Sequence, residues 1–256
     1  MIVNFLIRPG RTRGIYYLLE LIIKRYLVPL SMAFFAVNSQ AELLKSATVE
    51  QKAQIADAIK VSPMLATQFD KLTKDGKLTE LLVVSSNDVA SMQRPGPFNG
   101  WNNGSRIILT DALLVELAKN MQFDVRHEAD IYPNNTTFAL GHLAYHLANK
   151  WEPPFVRPQD IGEALRKRLE YEAMALIQGW NDVVDAATRA NGGRPLNGEQ
   201  VGGLVLNLRY RAAIVQALQK SGGKFQFSQS GFIESNDANV KAIAAVLGSL
   251  ALSDIE

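Results

Sequence analysis

Apolar positions recur along the chain with two periods, and the switches between them mark out its elements. Thr48-Val49-Glu50-Gln51 has the form of a capping box and opens a helix to about Lys60. Ser62-Pro63, with proline at the first helical position, opens a second helix that Lys74-Asp75-Gly76 closes. Leu81-Leu82-Val83-Val84 is a short apolar run of strand length. Residues 94–104, RPGPFNGWNNG, are dense in Pro, Gly and Asn and read as a loop carrying Phe98 and Trp101. Arg106-Ile107-Ile108-Leu109 reads as a strand, and Thr110 or Asp111 then caps a helix that ends near Asn120. Residues 121–135 are polar and irregular.

From Thr136 or Thr137 a helix with a strong apolar face runs through TTFALGHLAYHLANKW, until Pro153, Pro154 and Pro158 break the chain. Asp160 caps a long helix that Asn191-Gly192-Gly193 stops. Further helices are expected at roughly 198–220 and 237–252, with the Gly-rich, aromatic segment GGKFQFSQSGF between them. Gly202-Gly203 has no strand ahead and no Lys-Ser/Thr behind, so it reads as close helix packing and not as a phosphate loop. The pattern therefore predicts an α+β fold, mostly helical, with a small sheet and no internal repeat.

The N-terminus follows a different rule. Residues 15–37 are largely apolar but interrupted by Glu20, Lys24 and Arg25, which makes a clean membrane span expensive. Lys24 and Arg25 fit better as the basic end of an export signal, Tyr26 to Val37 as its apolar segment and Ser39-Gln40-Ala41 as its cleavage site. Residues 1–41 are accordingly expected to be an export signal or a membrane anchor, ahead of a domain spanning 42–256, in a protein that is exported (periplasmic or extracellular) or membrane-anchored. A basic leader of 25 residues is long for a signal, and a buried N-terminal hairpin is the alternative.

Charge narrows the partners. The whole chain carries +2; the first 41 residues hold five bases and one acid, leaving 22 bases and 24 acids and a charge of −2. A near-neutral surface offers no field for a phosphate backbone, so nucleic acid is excluded as a generic partner, and it suits a protein that works on other proteins or on a neutral ligand. Cysteine is absent, which removes disulfides, thiol catalysis and thiolate zinc sites. Only His127, His142 and His146 can supply imidazole.

His142 and His146 stand four apart in GHLAYH, on one face of a helix, where one Zn²⁺ can take both nitrogens. A hydrogen-bonded pair of helix residues is the alternative. A catalytic zinc needs one more protein ligand and an open position for water, and the next helix offers Glu163, Glu170 and Glu172. The cluster Arg166, Lys167, Arg168 and Glu170 equally suits i,i+4 pairing on a solvated face.

The order GSRIILTDALL, FALGHLAYHL, RLEYEAMA resembles the gluzincin metallopeptidases of the HtpX and CAAX-prenyl-protease type over roughly residues 99–179. Those proteins run from an edge strand and a Thr-x-x-Leu-Leu turn into a helix carrying HExxH, and then to a helix carrying ExEAD. The resemblance implies a zincin-like fold with the small sheet next to the histidine helix, His142, His146 and Glu170 as zinc ligands, and peptide-bond hydrolysis by metal-activated water. It also implies that strand 106–109 lines the cleft and pairs with an extended peptide.

Two positions depart from that pattern. Leu143 replaces the glutamate that acts as general base, and Met174 replaces the aspartate of ExEAD. Losing a general acid/base typically costs about 10²–10⁴ in rate, so catalysis is expected to be impaired. Glu128, in RHEAD, and Glu172, about 200° around the helix from Glu170, are weak candidates for a substitute base. His127 is either an exposed loop residue or a fourth ligand that closes the site. Phe98, Trp101, Trp151, Pro153, Pro154 and Phe155 either wall a substrate groove or, more commonly for such residues, pack loops onto the core. The expectation is a zinc metallopeptidase-like protein, with a non-catalytic binding or structural protein on a zincin frame as the alternative. On the first reading, Leu143→Glu is expected to create or raise activity.

Overall fold

The computed structural model describes residues 43–44, 47–85, 100–111, 114, 134–151, 161–207, 211–220 and 227–253, all within one unit, Leu43–Glu256. The segment 1–41, the helix expected after Asp111 and the polar stretch 121–133 with His127 and Glu128 lie outside the described residues, apart from Leu114. The elements are α1 (Val49–Lys60), α2 (Pro63–Lys74), β1 (Glu80–Val84), β2 (Gly100–Asn103), β3 (Arg106–Thr110), α3 (Asn134–Ala148), α4 (Ile161–Ala190), α5 (Gly198–Asn207), α6 (Arg211–Lys220) and α7 (Asp237–Ser253). The fold is thus mostly helical with a small three-stranded sheet. Among the described residues no helix is long and apolar enough to cross a membrane.

Local chemistry sets the helix ends. At α1 the Thr48 hydroxyl accepts from the Gln51 amide at 3.2 Å and the Gln51 side chain accepts from the Thr48 amide at 2.9 Å, which closes the capping box. Ser62 Oγ caps α2 from Leu65 N, and Pro63 takes the first helical position. The 30-residue α4 ends where Gly193 N reaches Thr188 O at 2.9 Å and Gly192 N reaches Arg189 O at 3.0 Å. Both glycines have positive φ, 69° and 77°, which a side chain would resist.

The sheet has the order β1-β3-β2, with β1 parallel and β2 antiparallel to β3. This corrects two expectations. Residues 100–103 are a strand and not part of a loop, because pairing such as Trp101 opposite Ile108 outweighs a turn-rich local composition. Strand 106–110 is central and not an edge; its neighbours use both of its hydrogen-bonding sides, so it cannot take up a peptide by strand addition. The single helix expected over 198–220 is two, α5 and α6. No described atom stands within 4 Å of a Cβ built on Gly202 or Gly203, so no close packing calls for glycine there.

Two apolar cores meet at α3. Leu140, Leu143 and Ala144 join α1, α2 and the sheet in one core; Phe138 joins α4 through α7 in the other, around Trp180 and Ile243. Burial on two sides explains why Thr136 to Ala144 are all buried.

Candidate metal centre

Hydrogen bonds to α1, to β2 and to the segment after α2 help to pin α3. Thr137 Oγ1 donates to Ala58 O at 2.9 Å, Asn102 Nδ2 to Leu143 O at 2.9 Å, and Lys77 Nζ to Ala148 O at 2.8 Å. Its closest partner is α4. A Cβ on Gly179 would lie 2.6 Å from Phe138 O, and one on Gly141 would lie 3.1 Å from Gly179 Cα, so the two backbones touch where both helices carry glycine. Asp182 Oδ2 fills the space beside Gly141, while Oδ1 accepts from Gln68 Nε2 at 3.1 Å and Gln178 Nε2 at 3.2 Å.

That contact aims the histidine face of α3 at α4. His142 Nε2 and His146 Nε2 are 3.0 Å apart, and Glu172 Oε2 lies 3.1 Å from the second and 3.6 Å from the first. His142 is buried; His146 and Glu172 are partly buried. An ion bound tetrahedrally at about 2.0–2.1 Å needs donor atoms about 3.3 Å apart, close to the edges of this triangle. Two imidazoles and one carboxylate suit a divalent first-row ion and leave it an open position. Among the described residues these three form a group able to hold a metal ion.

Electrostatics fits the geometry. Burial, aided by the neighbouring His146, pushes the His142 imidazole down to about 3 against the pull of Glu172, so the ring is neutral at ordinary pH. Burial alone would raise the Glu172 carboxyl, but the hydrogen bond from His146 and the electrostatic pull of His146 and Arg168 outweigh it and lower the carboxyl below its ordinary value. Tyr171, whose ring stands 4.9 Å from that of His146, is pushed up to about 12, chiefly by burial and then by Tyr145.

The structure sorts the expected site residues. It brings His142 and His146 together, but joins them to Glu172 and not to Glu170. Glu170 is held by Arg166, Oε1 to Nη1 2.6 Å, and Glu163 by Lys167 at 2.9 Å. Glu172, considered as a base, therefore stands in the donor position itself. Leu143 is buried in the apolar core with the sheet, and Met174 Sδ accepts from Tyr145 Oη at 3.3 Å. Trp101 lies on β2, and Trp151 packs its ring 5.3 Å from that of Tyr171. Phe98, Pro153, Pro154 and Phe155 are outside the described residues. Comparison of the chain with protein-family models, curated proteins and solved structures finds no match in any of the three.

Proposed function

We propose that this protein is a zinc metallopeptidase-like domain whose ligands are His142, His146 and Glu172 and whose hydrolytic power is impaired. The observation that carries the reading is the convergence of the three donor atoms at 3.0–3.6 Å. Two helices pinned by glycine contact hold this triangle, so the donors are oriented before any ion arrives. The bound ion would supply Lewis acidity and a water of lowered pKa. The chain itself would orient that ion, and Leu143 gives it no group at the usual place to carry a proton.

The burial of Leu143 in the core favours the second reading, a zincin-like frame that binds a protein or peptide partner without turnover. A partner that pairs by strand addition would meet an outer strand, β1 or β2. Export or anchoring through residues 1–41 belongs to this proposal and rests on the sequence pattern alone.

Metal analysis of the purified chain tests the centre. We expect close to one equivalent of zinc, lost in His142→Ala and His146→Ala, strongly weakened in Glu172→Gln and retained in Glu170→Gln. Zinc content that ignores the first three changes would end the reading; loss in Glu170→Gln but not Glu172→Gln would return the third ligand to position 170. Chelator-sensitive turnover of a peptide library then separates a weak peptidase from a binding protein.

A further inference from the structure

Only one oxygen of Glu172 faces the imidazoles. Oε2 is the atom 3.1 Å from His146 Nε2, while Oε1 is ion-paired with Nη2 of Arg168. The guanidinium is itself seated on aromatic faces, its carbon 5.4 Å from the Tyr171 ring centre and 5.7 Å from that of Trp151. Tyr171 in turn stacks near His146 and donates its hydroxyl to the His146 carbonyl at 3.4 Å. Cation, rings, carboxylate and second histidine thus form one assembly.

A carboxylate can give a metal one oxygen or two. With both, the ion gains a ligand and the site drifts towards the higher coordination numbers that oxygen-loving cations prefer. With one, two imidazoles and a single oxygen keep the low number that zinc favours. We infer that Arg168 is a positioning residue that occupies Oε1, holds Glu172 to a single donor oxygen and so sets the coordination number and metal preference of the centre. The inference rests on the zinc reading above. An ordinary i,i+4 surface pair would also bring Arg168 to Glu172, but its removal would leave a bound metal undisturbed.

The test uses the full chain as wild type, Arg168→Met and Arg168→Lys, with zinc affinity from chelator competition and visible absorption of the Co²⁺-substituted protein. Wild type should show the intense bands of four-coordinate cobalt. In Arg168→Met zinc affinity should fall by about 10–100-fold, the usual effect of losing a partner of a metal ligand, and the cobalt bands should weaken as Glu172 closes with both oxygens. Arg168→Lys should recover most of both. Arg168 is 45% exposed, so the metal-free forms should share one circular dichroism spectrum. Unchanged affinity and spectrum in Arg168→Met, or a lysine variant no better than the methionine one, overturns the clamp alone. A wild-type chain that takes up neither ion overturns the metal centre with it.

Discussion

Glu170 and Glu172 stand two positions apart on α4 and have opposite fates. They point about 200° apart, so only one can face α3. A signal for which one was present in Gly179. A glycine inside a helix can mark close approach to a neighbour, as Gly179 does and Gly202 and Gly203 do not, and Glu172 lies two turns before Gly179, within about 20° on the same face. Position 143 follows the same logic on α3: one residue beyond His142 the helix has turned about 100°, from α4 towards the core shared with the sheet. The burial of Leu143 argues for a cost in stability, and against a gain in activity, from Leu143→Glu. The leucine is 3% exposed, and a glutamate there loses apolar packing and buries a carboxyl. We expect a loss of about 2–5 kcal/mol in urea unfolding and no gain in zinc-dependent peptide hydrolysis. Hydrolysis that appears at unchanged stability would show that the side chain reaches the ion.

At the scale of elements, the site is a property of the α3–α4 contact. The three donors come from these two helices, and the distance between them is set where Gly141, Gly179 and Asp182 meet. Gly179→Ala gains about 1 kcal/mol of helix propensity but puts its methyl 2.6 Å from Phe138 O, a backbone atom that cannot swing aside. We expect a net loss of about 1–3 kcal/mol, with a parallel loss of zinc affinity as the helices separate. Denaturant unfolding and zinc titration of the same variant check both. A variant of full stability and full affinity would mean that the contact is not what spaces the donors.

For the molecule as a whole, the buried Asp182 imposes a pH dependence on folding. Burial, with help from Asp185 and against hydrogen bonds from Gln178 and Gln68, pushes its carboxyl up to about 8. The unfolded chain releases that proton near pH 4, so between about 4 and 8 the folded state binds the extra proton. Stability from this group is therefore fully present below the unfolded value and falls as pH rises towards 8. Asp182→Asn keeps the side chain's shape and removes the titration. Relative to wild type the variant should gain stability steadily from pH 5 to pH 8 in urea unfolding; parallel curves would show that Asp182 is ionised in the folded chain.

What the sequence by itself determined is what depends on neighbours a few residues away. Thr48 with Gln51, Ser62 with Pro63 and the Gly192-Gly193 stop act within a turn of their own helices, and His142 and His146 share a face whatever surrounds them. The tertiary structure decided the rest. Residues 100–103 became a strand only because β3 lay open on that side, and β3 became central for the same reason. Which glutamate joined the histidines depended on the rotation of α4 against α3. Helical spacing fixes angles within one element, whereas the facing of two elements is set by how their surfaces fit, through contacts between residues far apart in the chain.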